Sequence, residues 1–200
     1  MTNILKTAAL AGTFSVLAGA AYAECKTDIA KDELTDAQAT ALYQCIEGEL
    51  LASYQKSGRA EANEFRSWFV NNTNVFISST HGNRFVNHYI NDIGKAAYSA
   101  YAEEGVEMPV GSISAKESFT ISKKNGKVRK GPLFLMEKMG AGFDETGGWK
   151  YAVILPNGKV MGETGAETGK KVKFCHDCHE AVLEGQDAMF YPDEDYRVTQ

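Results

Sequence analysis

The stretch ISAKESFTI, residues 113–121, has the alternating pattern of a β-strand that buries one face. Its apolar residues alternate with Ser, Lys and Thr, and Glu117 is the one charged residue on the apolar side. The pair Asn125-Gly126 follows, which is a strong signal for a hairpin turn. A second strand is predicted over residues 131–138. The centre of the chain is therefore predicted to be an antiparallel hairpin.

Two more strands extend this hairpin toward the C-terminus. Residues 149–155 are predicted to form the third strand, and Pro156-Asn157-Gly158-Lys159 is a second hairpin signal that leads into a short fourth strand at 160–162. The predicted fold class is α+β, with an antiparallel β-sheet meander, flanking helices and a C-terminal Cys-x-x-Cys-His motif. An N-terminal helical extension is predicted to precede the sheet.

Helices are predicted in the N-terminal half from four-residue spacing of apolar side chains. Thr35 and Gln38 have the spacing of a capping box, and a helix is predicted over 36–55. A second helical piece is predicted over 60–70 and a third helix over 84–104. His88 lies on a different face from the apolar stripe of the third helix, which predicts a surface or capping histidine rather than a ligand.

The motif Cys175-His176-Asp177-Cys178-His179 is typical of c-type haem attachment. Its two thiols can each bond a haem vinyl group, and the histidine after the second cysteine can coordinate the iron. A zinc site would need a second ligand pair at suitable spacing, and a thioredoxin-like dithiol would be expected near the start of a βαβ unit. The sequence predicts one covalently bound haem c held by Cys175 and Cys178, with His179 as the axial iron ligand.

The remaining cysteines, Cys25 and Cys45, are predicted to form a disulfide bond because free thiols are uncommon in exported proteins. Two unrelated buried thiols are the alternative. With this loop length, the chain-entropy estimate of the stabilisation is about 3 kcal/mol.

Residues 1–23 have the pattern of a secretory signal peptide, with Lys6, an apolar run and the small-x-small end Ala21-Tyr22-Ala23. We expect cleavage near Ala23 and a periplasmic location. The formal net charge of −5 argues against nucleic acid or an anionic membrane as a partner. A small-molecule ligand and a redox partner protein are the expected partners.

The sixth coordination position of the iron is predicted to be open. Met189, the one methionine after the motif, follows His179 too closely to reach the opposite haem face readily. Met108, Met136, Met139 and Met161 lie in or near the predicted strands, where methionine most often fills the core. An iron with an open distal position can bind small ligands.

The sequence resembles the cytochrome P-460 family, which also includes cytochrome c′-beta. Three segments carry the resemblance: Phe174 with the motif after an antiparallel sheet, Gly111-Ser112-Ile113-Ser114-Ala115-Lys116, and Gly147-Gly148-Trp149. The likeness covers roughly residue 81 to the end. The chain is accordingly divided into a signal peptide (1–23), a helical extension (24–80) and a P-460-like haem domain (81–200).

The resemblance implies an antiparallel sheet with helices, a homodimer and a five-coordinate haem. Members similar to cytochrome P-460 oxidise hydroxylamine, with a lysine linked to the porphyrin and a distal carboxylate as base. Members similar to cytochrome c′-beta lack the link, line the distal side with phenylalanine and bind nitric oxide. Lys116 best matches the lysine, although a solvated strand residue is the alternative. Glu117 and Glu137 are the candidates for a distal base. The alternative is that they are charges that protect a sheet edge from pairing with another strand.

Two functions follow from these observations. The first is a mono-haem c-type cytochrome that binds or oxidises hydroxylamine or nitric oxide at an open distal site, as an oxidoreductase if it is an enzyme. The second is a low-spin electron-transfer cytochrome c without catalytic activity.

Overall fold

The fold is built on one antiparallel sheet, as described by a computed structural model of residues 24–198. The predicted signal peptide lies outside the described residues. The strands are β1 (Phe69–Val70), β2 (Phe76–Ser78), β3 (Arg84–Ile90), β4 (Ile113–Ile121), β5 (Val128–Lys138), β6 (Trp149–Ile154) and β7 (Val160–Glu163). Their order across the sheet is β1-β3-β4-β5-β6-β7, and β2 also pairs with β3. The predicted α+β class is confirmed.

The meander β4–β7 confirms the four strands predicted from residues 113–162. An irregularity interrupts the β4–β5 pairing, where Glu117 pairs with Leu133 but Phe119 pairs with Lys130. Gly131 and Pro132 supply the extra residue of this bulge, a position where the missing N–H of proline is tolerated. A Cβ on Gly131 would come within 2.3 Å of Ser118 Oγ, so glycine is needed here.

The helix predicted over 84–104 is wrong. Residues 84–90 form strand β3, and only Asp92–Tyr98 is helical, as helix α3. Phe85 and Tyr89 are four residues apart, which places them on one face of a helix but also on one face of a strand. Nearly all of β3 is buried, so it lacks the polar alternation that would have identified it as a strand.

Helix α1, Asp36–Gln55, confirms the first predicted helix and its capping box. The Thr35 amide donates to Gln38 Oε1 at 2.9 Å, and the Gln38 amide donates to Thr35 Oγ1. The buried face of α1 packs on the sheet in a core that includes Leu50 and Leu133. The predicted disulfide Cys25–Cys45 is present, with a Cα–Cα distance of 5.9 Å, and it ties the start of the described chain to α1.

The second predicted helical piece is shorter than expected. Helix α2 covers Ala60–Glu64, a 3-10 turn follows at Phe65–Ser67, and β1 begins at Phe69. Strands β1 and β2 precede residue 81 but belong to the same sheet as the rest. The division of the chain at residue 80 stays a prediction.

The second face of the sheet is covered by the C-terminal segment. Helix α4, Lys173–His179, carries the Cys-x-x-Cys-His motif, and a 3-10 turn and the irregular helix α5, Leu183–Gln186, follow it. Trp149, Met136 and Met189 belong to the buried cluster on this face. No helix among residues 24–198 is long and apolar enough to cross a membrane.

Candidate functional site

A cavity of about 420 Å³ lies between the second face of the sheet and helix α4. This volume is in the range of small-molecule and cofactor sites. Strands β4, β5 and β6 supply the floor and α4 supplies one wall. The side chains used below all line it: His81, Arg84, Lys116, Phe134, Tyr151, Cys175, Cys178 and His179.

His179 is oriented by a hydrogen bond to the backbone. Its Nδ1 lies 2.6 Å from the carbonyl oxygen of Ala188, and a carbonyl can only accept, so Nδ1 carries the proton. Nε2 therefore holds a free lone pair, which is the tautomer that a metal-binding histidine needs. Burial, aided by the charge of Lys116, lowers the pKa of His179 to about 4, so the imidazole is neutral at pH 7.

Asp187 holds the segment that supplies this carbonyl. One carboxylate oxygen of Asp187 accepts hydrogen bonds from Lys138 Nζ at 2.6 Å and from Trp149 Nε1 at 3.2 Å. The other oxygen accepts from the Met108 amide at 2.8 Å. Asp187 and Ala188 both have positive φ angles, 45° and 63°. This turn brings the Ala188 carbonyl back to His179.

The two cysteines of the motif lie on α4 beside His179. Both are free thiols, Cys175 half-buried and Cys178 exposed. Burial raises the pKa of the Cys175 thiol to about 12, whereas a redox-active dithiol needs a lowered pKa. Among residues 24–198 no group of three or more His, Cys, Asp or Glu side chains is arranged to bind a metal ion. The dithiol and zinc alternatives thus gain no support.

Lys116 lies on β4 between His88 of β3 and Phe134 of β5 and lines the cavity. It forms no ion pair with a carboxylate among the described residues. Desolvation lowers the pKa of its ammonium group to about 8, so the neutral amine is a minor but accessible form near neutral pH. A neutral amine is a nucleophile, as a covalent link to a porphyrin would require.

The candidate carboxylates do not reach the cavity. Glu117 is 1% exposed and lies on the face that packs on α1, where Arg66 Nη2 is 2.7 Å from its carboxylate. Tyr43 and Tyr89 donate hydrogen bonds to the other carboxylate oxygen. Glu137 forms an ion pair with Lys150 on the neighbouring strand. No Asp or Glu is found among the described residues that line the cavity.

The surface position predicted for His88 is wrong, because residue 88 lies in a strand that is buried on both faces. His88 is fully buried; its Nε2 is 2.7 Å from Ser114 Oγ and its Nδ1 is 3.0 Å from the Tyr98 hydroxyl. Burial lowers the pKa of His88 well below its ordinary value. Both ring nitrogens are occupied, so His88 supports the sheet and is not free to bind a ligand.

The sequence reasoning missed three residues of the cavity. His81 lies in the turn between β2 and β3, Arg84 begins β3, and Tyr151 is on β6. The Tyr151 hydroxyl is buried without a hydrogen-bond partner among the described residues. Arg84 has no ion-pair partner there either. His81 was hidden in a polar turn, and the other two come from strands far apart in sequence.

These unpaired groups allow a test of whether the cavity suits a haem. An apolar floor, two thiols at the spacing of the vinyl groups and a histidine with a free Nε2 match the donor set of a haem c. An orphaned hydroxyl and an unpaired arginine leave polar groups that a ligand would satisfy. The residues present fit the group.

The family comparison identifies the chain. The family model described as Cytochrome P460 matches residues 62–191. The chain belongs to the cytochrome P460 family. The match confirms the predicted family, and it begins upstream of residue 81, within the predicted helical extension (24–80). A comparison with curated protein sequences finds no match.

Membership of the cytochrome P460 family implies a haem cofactor. The matched range contains the whole sheet, the cavity and helix α4. The cavity is therefore the candidate site for this haem.

Proposed function

We propose that the protein is an exported, mono-haem c-type cytochrome that binds small nitrogen species such as nitric oxide or hydroxylamine. The observation that carries the proposal is the pairing of His179 Nδ1 with the Ala188 carbonyl at 2.6 Å beside the two motif thiols. Cys175 and Cys178 would hold the porphyrin edge, and Arg84 would pair with a propionate. The bound haem supplies the redox-active iron.

The protein residues have three tasks in this proposal. His179, neutral and fixed in one tautomer, offers its lone pair to the iron without rearrangement. Phe134 and its neighbours keep the cavity apolar, which favours small uncharged ligands over water. The signal peptide pattern of residues 1–23 supports export to the periplasm, where haem c proteins mature.

Binding is better supported than oxidation. Hydroxylamine oxidation requires a group that takes up protons as electrons leave, and no carboxylate lines the cavity among residues 24–198. Lys116 is the cavity residue with a pKa close to neutrality. Oxidation would therefore depend on Lys116 or on the haem link that it could form. A low-spin electron-transfer cytochrome is the second candidate function. His81 favours it, because its ring lines the same cavity with its centroid 6.3 Å from that of His179 and could supply a sixth iron ligand.

The experiment uses protein matured with haem in a periplasmic expression system. We expect an intact mass increased by one haem, and a red protein whose ferrous spectrum changes on addition of nitric oxide. Replacing both Cys175 and Cys178 with alanine should abolish the mass increment. A colourless wild-type protein would overturn the haem assignment, and a spectrum indifferent to nitric oxide and hydroxylamine would favour the electron carrier.

A further inference from the structure

Apolar side chains are exposed to solvent beside the cavity, where helix α4 lies near the edge strand β7. Phe174 on α4 is 53% exposed, and Val160 at the start of β7 is 39% exposed. Phe174 also lines the cavity, together with Pro156 and Met161 from the chain before and within β7. Large apolar side chains that are exposed together often mark a surface that contacts another molecule.

Exposed lysines flank these apolar side chains. Residues 159–174 contain four lysines and two glutamates, whereas the whole chain has a formal net charge of −5. Lys159 directly precedes Val160, and a 3-10 helix holds Lys170 and Lys171 just before α4. All three lysines are exposed, and none forms an ion pair with a carboxylate within residues 24–198. The β7–α4 surface is defined by Lys159, Val160, Lys170, Lys171 and Phe174.

The 3-10 helix packs directly on β7, which makes this surface continuous. A Cβ placed on Gly162 in β7 would lie 3.2 Å from the Cβ of Lys171 and 2.6 Å from the carbonyl oxygen of Thr168. The two lysines before α4 are therefore held beside the strand that carries Val160, although ten residues of sequence separate them from it.

Most of the acidic groups near this surface are already neutralised. Glu163 forms an ion pair with Arg59, and Asp177 forms one with Lys173. Glu167 is the remaining acidic residue of the 159–174 stretch. The three lysines of the β7–α4 surface therefore outnumber the free carboxylates around them, in a chain whose overall charge is negative.

We propose that the β7–α4 surface docks an acidic electron-transfer protein that exchanges electrons with the haem. The inference rests on the proposed function, in which Cys175 and Cys178, directly after Phe174, hold the haem. Electron transfer needs a short distance, so the partner must dock where the porphyrin edge is closest to solvent, and Cys178 is exposed. One electron moves: ferrous iron is oxidised to ferric, and the redox centre of the partner is reduced, with no proton or bond exchanged.

The charge of the surface favours this partner over a second copy of the chain. In a twofold dimer a surface meets itself, so the lysines of the two copies would repel each other. An acidic partner is attracted instead, which steers the encounter and raises its rate. A small apolar centre within a charged rim suits the transient complexes of electron-transfer proteins, which bury less than about 1,200 Å².

The test measures electron transfer from the haem-loaded ferrous protein to oxidised plastocyanin, an acidic one-electron copper protein, by stopped flow. Loss of the blue-copper absorption reports the second-order rate constant. The double variant Lys170→Glu/Lys171→Glu should lower this constant by about tenfold or more at low ionic strength, and the two proteins should converge at high salt. Phe174→Gln should lower it at both ionic strengths, because salt does not screen an apolar contact.

The matched control is Lys123→Glu/Lys124→Glu, which makes the same change in net charge in the exposed β4–β5 turn, outside the cavity lining. It should slow the reaction much less than Lys170→Glu/Lys171→Glu does. All variants should keep the wild-type haem content and nitric oxide binding, because none removes a residue that holds the haem.

Equal rate constants in the two double variants would overturn the inference and leave nitric oxide binding, and so the proposed function, intact. An altered sedimentation of Lys170→Glu/Lys171→Glu with an unchanged rate constant would also overturn it, because the surface would then be an interface between copies of the chain. A wild-type protein without haem would overturn both the inference and the proposed function.

Discussion

Lys116 and Glu117 are neighbours in strand β4, yet their side chains lie on opposite faces of the sheet. Lys116 lines the cavity beside His179, whereas Glu117 is buried against helix α1 with Arg66, Tyr43 and Tyr89. The period of two in a strand requires this separation. One residue of the pair is thus available for chemistry in the cavity, and the other holds the N-terminal helix on the sheet.

Replacing Glu117 with glutamine should therefore destabilise the fold without altering the proposed haem site. The Arg66 guanidinium would face an amide, and two tyrosine hydroxyls would lose a charged acceptor, so we expect a loss of roughly 2–4 kcal/mol in the free energy of unfolding. Urea denaturation measures this loss.

Glu137→Gln is the matched control for that variant, because its partly exposed ion pair with Lys150 should contribute no more than about 1 kcal/mol. Both variants should keep the wild-type absorption spectrum. An effect of Glu117→Gln on nitric oxide binding, without a loss of stability, would place Glu117 in the distal site after all.

A covalent link between Lys116 and the haem is the second prediction. Burial lowers the pKa of Lys116 to about 8, and the amine lines the cavity with the two motif cysteines. We expect mass spectrometry of the protease-digested protein to find one haem bonded to two peptides, the one that contains Cys175 and Cys178 and the one that contains Lys116. Lys116→Ala should then shift the Soret band, and its haem should carry only the peptide that contains Cys175 and Cys178.

Lys130→Ala serves as the control, since Lys130 also lines the cavity but is already paired with Ser53 at 2.9 Å. Its Soret band should stay at the wild-type position. A wild-type haem peptide without the Lys116 peptide, together with an unchanged Soret band in Lys116→Ala, would contradict the predicted link and favour ligand binding over catalysis.

The sequence predicted those parts of the fold whose signals are local. The capping box of Thr35 and Gln38 marks the start of α1, and the Asn125-Gly126 turn fixes the β4–β5 hairpin. The Cys-x-x-Cys-His motif is also local, so its residues could be found without knowing the fold. Strand β3 was missed because Phe85 and Tyr89 have a spacing that suits both a helix and a strand.

The rest of the site depends on contacts between distant segments. His81 lies in a polar turn of the kind that usually only connects elements, and nothing local relates it to His179. The orientation of Glu117 was open because a charged residue on an apolar strand face fits either a catalytic base or a buried ion pair. Arg66, which decides between them, is 51 residues away.

Asp187 is predicted to act as a positioning residue for His179. Its carboxylate binds Lys138, Trp149 and the Met108 amide, and it precedes the carbonyl that holds His179 Nδ1. Asp187→Ala should cost about 2–4 kcal/mol of unfolding free energy because a half-buried ammonium and a buried amide lose their acceptor.

The haem should remain attached in Asp187→Ala, but the iron–histidine vibration of the ferrous protein should move to lower frequency. A weaker hydrogen bond on Nδ1 makes the imidazole a poorer ligand. Resonance Raman spectroscopy measures this shift, and Asp195→Ala, at an exposed position, is the control. A stability loss without any change in the vibration would reduce Asp187 to a purely structural role.

His88 is predicted to make stability depend on pH. Burial keeps the pKa of His88 well below its ordinary value in the folded protein, whereas the unfolded chain takes up the proton near pH 6.5. The unfolded state therefore binds more protons below pH 6.5, so stability falls as the pH is lowered, by up to about 1.4 kcal/mol per pH unit for one histidine. At pH 8 this contribution is fully present.

His88→Gln can hydrogen-bond Ser114 and Tyr98 but cannot take up a proton in this range. At pH 8 we expect the free energy of unfolding of the variant to differ from that of the wild-type protein only by the cost of repacking the site. Between pH 6.5 and 5 the variant should lose less of this free energy than the wild-type protein does. Urea unfolding of the haem-loaded protein at several pH values measures both the repacking cost and the loss of stability with falling pH. Parallel pH profiles for the two proteins would mean that His88 is protonated to the same extent in the folded and unfolded states, which contradicts its complete burial between two hydrogen-bonded hydroxyls.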